Sequence, residues 1–332
     1  MTLELTDPTI DLKRGFVRKL PALLAAFAVL AALTSCASSD TVAGCSPMVT
    51  SGSASSVVTT TGAFGKKPKV TLPTPLYSGT TEVSTVLAGH GPAIQYGQPV
   101  TVDATILDGR TGKVLQVTDY TKIGSGLVIA GTNGTPGVGK ALVCATAGSR
   151  IAVVLSPKDG TNNKADATND IKAKDSLVWV LDIRRSFLAK ANGTPEVSSD
   201  AYPSVVTTAS GAPGITLPST PAPRKLTTVP LQQGSGAVVK DGDLIIAKYT
   251  AISWTASPDT FDSTWTKNTA DPLQVGATSV APGLSTALKG KRVGSQLLVM
   301  IPASLAAPSD GSGTAPSGVP VVYVIDILGI IG

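Results

Sequence analysis

The sequence predicts an α+β protein of two tandem domains, each of short antiparallel strands with one short helix to cover a face. Composition is the first reason. The 332 residues are rich in Val, Thr, Ile and Ser, carry 34 Gly and 24 Pro as turn formers, and offer few stretches with helical periodicity. The second reason is internal repetition. "PKVTLPTPL" from Pro68 matches "PGITLPSTP" from Pro213, and "GHGPAIQYG" from Gly89 matches "GSGAVVKDG" from Gly234, both at an offset of 145. "PGVGKAL" from Pro136, "AGSRIAVVL" from Ala147 and "SLVWVLDI" from Ser176 recur as "PGLSTAL" from Pro282, "VGSQLLVMI" from Val293 and "PVVYVIDI" from Pro320. The order is collinear and the offset moves by only one or two, so the chain is a tandem pair.

The N-terminus reads as an export signal over residues 1–35. Lys13, Arg14, Arg18 and Lys19 precede an apolar run from Leu20 to Leu33 that is short for a bilayer span. The run ends in "LTSC", which resembles a bacterial lipobox and makes Cys36 the lipid acceptor; "VAGC", ending at Cys45, is the alternative. The expected location is the extracytoplasmic face of the cell membrane, held by a lipid anchor. Residues 36–60 are small, polar and nearly uncharged, as in a flexible tether. Outside the cytoplasm Cys45 and Cys144 can pair as a disulfide, or Cys144 can stay a buried free thiol.

The repeat assigns residues 61–188 to a first domain, 189–208 to a linker, whose Tyr202 and Val205 to Val206 could instead pack on a domain, and 209–332 to a second domain. In the second, Asp243 to Ile252, "SQLLVMIP" and "VVYVIDIL" read as strands, and "LSTALKG" as a brief helix closed by glycine. One stretch of the first domain invites a different reading. Gly134, Gly139 and Lys140 have the G-x-x-x-x-G-K spacing of a phosphate-binding loop, but Ala141 stands where a Ser or Thr would hold Mg²⁺. Its repeat partner is "VAPGLSTAL", so the stretch reads as the entry to the domain's short helix, and no nucleotide is expected.

The second unit resembles the FKBP-type peptidyl-prolyl cis-trans isomerases, through "GSGAVVKDGDLIIAKYTAI", "FDSTW", "DPLQVG", "VAPGLSTALKGKRVGSQLLVMIP" and "VVYVIDIL" in that order. With the signal and lipobox, the whole chain resembles exported FKBP lipoproteins of actinobacteria. The resemblance implies for each domain a twisted antiparallel sheet curled around a short helix, and in the second an apolar pocket between them, where the site residues are Tyr249, Phe261, Asp262, Val280, Ala281, Leu284 and Tyr323. Leu273 and Val275 extend the substrate-binding wall; Trp254 and Trp265 flank the Phe-Asp turn, where they either extend the peptide rim, the role assigned to Trp265, or are simply exposed aromatics. Asp262 is the polar group at the twisting carbonyl, Tyr249 steadies it, the Ala281 N–H donates to the peptide, and Leu284 forms the floor. The implied partners are proline-containing polypeptides outside the cytoplasm, and no cofactor is implied. One departure is Ala307, where the family commonly has a Tyr.

In the first unit Ala104 takes the position of Tyr249, and Leu115 and Gln116 those of Phe261 and Asp262. It is expected to keep the scaffold without the isomerase site, its charged loop "KDGTNNKADATNDIKAKD" lying in solvent. His90 is the only His, in a "GHG" turn, and the three Cys are scattered, which argues against hydrolase triads and metal sites. A net charge of +5 comes from scattered Lys and Arg with no basic aromatic segment, so nucleic acid is not an expected partner.

Overall fold

The computed structural model describes residues 45–121, 126–131, 136–308, 311 and 315–331. The export segment and Cys36 lie outside the described residues. In chain order, a short helix Ser53–Ser56 (α1) and a ribbon of Thr59–Thr61 (β1) and Lys69–Thr71 (β2) precede the first sheet. That sheet consists of Glu82–Leu87 (β3), Pro99–Asp108 (β4), Val114–Val117 (β5), Gly126–Ile129 (β6), Arg150–Leu155 (β7) and Leu177–Ser186 (β8). Helix Pro136–Leu142 (α2) lies between β6 and β7, and Pro157–Thr161 (α3) follows β7. Then come Thr194–Pro195 (β9) and a second ribbon, Ser204–Thr207 (β10) with Pro213–Thr216 (β11). The second sheet holds Thr227–Gln233 (β12), Leu244–Ser253 (β13), Thr260–Ser263 (β14), Asp271–Gln274 (β15), Gln296–Ile301 (β16) and Val321–Ile331 (β17), with helix Pro282–Leu288 (α4) before β16.

The two sheets share one topology. The first runs β3-β7-β8-β4-β5 with β6 also on β4; the second runs β12-β16-β17-β13-β14 with β15 also on β13, and β9 added at the β12 edge. All the pairings are antiparallel. Irregularities recur at matched positions: Thr101/Val102 and Ile246/Ala247, Ile106/Leu107 and Ala251/Ile252, Thr85/Leu87 and Pro230/Gln232. A bulge re-aims every side chain after it, so these shared bulges put equivalent residues of both domains on equivalent faces.

Strands β4 and β13 are buried along almost their whole length because both of their faces are covered. In the second sheet Ile245, Ala247, Tyr249 and Ala251 face the cluster that includes Leu284 and Leu288 of α4, as period-2 alternation requires. Ile252, Leu298, Met300 and Val322 on the opposite face pack against Tyr202, Val205, Ile215 and Leu217 of the β10–β11 ribbon and its approach. In the first sheet the same covering comes from Ala54, Val58 and Leu76. Two expectations are corrected by this. Residues 45–60, expected in a flexible tether, are part of a docked arm that runs from Cys45 to Thr71, and residues 204–207, assigned to the linker, form a strand of the second domain's cover.

Long-range bonds fasten the arm. Cys45 and Cys144 form a disulfide across 99 residues, which removes Cys45 as an alternative lipid acceptor. The N–H groups of Ala54 and Ser55 donate to Glu82 Oε2 at 2.8 and 2.9 Å. Arg150, 1% exposed, pairs with Asp182 and donates to the carbonyls of Gly62, Ala63 and Lys66 at 2.9, 3.0 and 3.1 Å. Such carbonyl contacts would be satisfied by water in a free tether; here a buried guanidinium supplies them.

A seam joins the domains. Ile129 and Phe187 cluster with Ile246, Ala270 and Leu328. The Lys248 ammonium donates to the carbonyls of Gly97 in the first domain and Ala189 in the linker, at 3.0 and 3.1 Å. Arg185 donates to the carbonyl of Ile330 at 2.7 Å.

Candidate functional site

The pocket wall of the second domain is assembled from five elements. Tyr249 comes from β13, Phe261 from β14, Leu273 from β15, and Tyr323 from β17. Val280 and Ala281 precede α4, which carries Leu284. All seven belong to one apolar cluster with Val275, and Phe261 and Leu273 are its partly exposed members. Helix α4 starts at Pro282, whose fixed φ suits a first helical position. The rings of Tyr249 and Tyr323 lie 5.7 Å apart, tilted by 53°, and Phe261 meets Tyr323 edge-on at 6.0 Å. Offset and edge-to-face contacts of this kind favour a fixed aromatic wall.

Asp262 is held on that wall by charge and hydrogen bonds. The Tyr249 hydroxyl faces Asp262 Oδ2 at 3.0 Å and Asp271 Oδ2 at 2.7 Å, and Lys267 Nζ reaches Asp262 Oδ1 at 2.6 Å. The Tyr249 backbone is fixed in turn by Thr264, whose hydroxyl accepts from its N–H at 2.8 Å and donates to its carbonyl at 3.2 Å. Burial, followed by the bond to Asp271, pushes the Tyr249 phenol far above its usual range. Burial and then Asp262 do the same for Tyr323. Both phenols therefore stay protonated donors over any physiological pH. The site combines an aromatic wall with two carboxylates, Asp262 and Asp271, both facing one phenolic hydroxyl, and among the described residues contains no nucleophile paired with a base. Among the described residues no group of three or more His, Cys, Asp or Glu is placed to hold a metal ion.

Trp265 is not brought to this pocket, which corrects its assignment to the peptide rim. After β14 the chain turns Thr264 toward Tyr249 and sends Trp265 to the opposite face, where its ring lies 4.8 Å from Lys248 Nζ. Trp254 packs on the outer face as well, beside Ile252 and Val322. Ala307 is exposed, and its neighbour Ala306 enters the core. Asp271 and Lys267 were missed from the sequence. The signal for Asp271 was present: it alternates with Leu273 and Val275 on β15 and its continuation, so the three share a face.

In the first domain Ala104 pairs with Leu181 as Tyr249 pairs with Ile325, and Gln116 faces Ile106 as Asp262 faces Ala251. Trp179 stands where Tyr323 does, its indole N–H buried with no hydrogen-bond partner among the described residues. The charged loop lies mostly in solvent, as expected; its first residues belong to α3, and only Ile171, 6% exposed, and Asp175 are buried, where Arg110 ties Asp170 and Asp175 at 3.0 Å each. Gly137 and Gly139 lie inside α2, and Lys140 pairs with Asp159 at 3.5 Å. Gly134 and Thr135 lie outside the described residues.

Residues 236–328 match the family model for FKBP-type peptidyl-prolyl cis-trans isomerase. The chain is 27% identical over 121 residues to an FK506-binding protein of Streptomyces anulatus, covering 36% of this chain and 96% of that protein. It is 28% identical over 116 residues to a probable FK506-binding protein of Corynebacterium glutamicum, covering 35% and 96%. Among solved structures, the three FKBP domains of wheat FKBP73 align with a TM-score of 0.31 and 15% identity, over 76% of this chain and 95% of that one. Residues 236–328, and with them the aromatic pocket, belong to the FKBP-type peptidyl-prolyl cis-trans isomerase family.

Proposed function

We propose that the second domain isomerises X-Pro bonds of exported polypeptides at the outer face of the cell membrane, where Cys36 carries the lipid anchor. The first domain is an FKBP-like scaffold without isomerase activity. The observation that carries this reading is the convergence of Tyr249, Phe261 and Tyr323 around Asp262 within the segment that matches the family. An X-Pro bond rotates over a barrier of about 18–20 kcal/mol because amide resonance must break. The pocket lowers it by preferring the twisted amide to either planar form. The proline ring enters between the aromatic rings, over Leu284. The carbonyl of the preceding residue loses its water beside Asp262, which weakens the resonance that water stabilises, and the Ala281 N–H holds the next peptide unit. Proton transfer is not required.

In the first domain the replacements by Ala104, Gln116 and Trp179 remove both phenols and the carboxylate, which supports a scaffolding role. The test is exchange spectroscopy on a short X-Pro peptide with the chain from Cys36 onward, since an isolated second domain would expose Ile246 and Leu328 at the seam. Acceleration that falls by about 10- to 100-fold in Asp262→Ala is expected. Absence of acceleration together with tight binding of an FK506-type macrolide would instead establish a non-catalytic binding module, a reading that Ala307 favours.

A further inference from the structure

We propose that Asp271 makes the pocket selective for a basic residue immediately before the proline. This rests on the isomerase reading, because it places that residue's carbonyl beside Asp262. Asp262 and Asp271 are joined through one phenolic hydroxyl, which lies 3.0 Å from the first and 2.7 Å from the second. A phenol has a single proton, so the two carboxylates share one donor. Lys267 neutralises Asp262 at 2.6 Å, whereas Asp271 has no ion pair within 4.0 Å among the described residues. Asp271 is only half-buried, on the same face of β15 as Leu273. The pocket wall therefore sets two carboxylates against one ammonium, which pairs closely with Asp262 and acts on Asp271 only from beyond ion-pair distance, in a surrounding of apolar side chains that screens charge less than water does.

A lysine or arginine before the proline extends its charge along this wall and pairs with Asp271, while its apolar stem covers Phe261 and Leu273. A glutamate at the same position meets a like charge. The partly desolvated setting sets the scale at about three- to tenfold between basic and neutral residues, with a further loss for acidic ones.

The experiment compares acetylated, amidated peptides with Lys, Leu or Glu before proline, by exchange spectroscopy at low and high salt. The order Lys, Leu, Glu is expected, compressed by salt, with the Lys-to-Glu ratio collapsing in Asp271→Asn and widening in Lys267→Gln. Asn keeps an acceptor for the Tyr249 hydroxyl, and a melting curve for each variant verifies folding. Equal turnover of the three peptides, or a ratio unchanged in Asp271→Asn, overturns the proposal and leaves the isomerase reading intact. If no peptide is turned over, the isomerase reading falls, and broadening of the peptide proline resonances decides the selectivity. Binding in the same order supports it, and equal or absent binding overturns it.

Discussion

Asp182 and Asp326 stand at the same register position of the two sheets, opposite Arg150 in one and Gln296 in the other. Both are buried, at 0% and 1% exposure, but Asp182 has a cation in direct contact, Arg150, whereas among the described residues Asp326 feels Lys248 and Lys190 only from beyond ion-pair distance. Burial pushes Asp326 up to about 6, opposed by the Ala191 N–H, Gln296, Lys248 and Lys190. A carboxyl whose folded value is raised binds more protons folded than unfolded across roughly pH 4 to 6, so its contribution to stability is present below that window and lost as pH rises through it. Asp326→Asn should flatten that slope and add about 1–3 kcal/mol at pH 7.5, with Gln296 turning its carbonyl to the new amide. Denaturant melts of both proteins at pH 4.5 and 7.5 measure this, and an unchanged slope would refute it.

Arg150→Ala should act in the opposite sense. It leaves Asp182 buried without its cation and strips three carbonyls of the arm of their donor, a loss of about 3–5 kcal/mol. The variant should also be cut by protease between residues 59 and 67 well before the rest of the first domain. Equal cleavage rates would show that the disulfide and Glu82 hold the arm without Arg150.

The disulfide itself gives a third expectation. Closing a loop of about 100 residues removes enough unfolded-state freedom to contribute about 3–5 kcal/mol. Cys144 adopts φ 68°, in the left-handed region, at the position where the second domain has Gly290 at φ 76°. Once the bridge is removed, glycine suits this backbone and alanine does not. The pair Cys45→Ala with Cys144→Gly should therefore melt higher than Cys45→Ala with Cys144→Ala by about 1 kcal/mol. Equal melting points would mean that the turn relaxes when the bridge is absent.

The strand-rich class was readable because strand alternation and turn residues are local signals. The constant offset between repeats reappears as matched bulges, since a bulge is written into the same few residues each time. The docked arm was not readable. Its Ser- and Thr-rich composition is that of a tether, and it is held by Glu82, Cys144 and Arg150, partners 27 to 99 residues away. The burial of Ile171 depends similarly on Arg110, 60 residues from Asp170. The side taken by Trp265 was also hidden, because a turn of one residue decides which face of a sheet a side chain joins.

The aromatic wall gives the final expectation. Phe261 meets Tyr323 edge-on and is only partly buried, so Phe261→Ala should cost little stability, about 1 kcal/mol, while opening the pocket to water. Asp262→Ala removes the carboxylate from the carbonyl and frees Lys267, and leaves Asp271 to hold the Tyr249 hydroxyl alone. Each should lower kcat/KM for X-Pro isomerisation by about 10- to 100-fold. The two differ in form. Phe261→Ala should raise KM through lost contact with the proline, and Asp262→Ala should lower kcat with KM nearly kept, because its interaction strengthens as the amide twists. A matched fall in both variants, confined to KM, would assign the wall to binding alone and remove the transition-state role of Asp262.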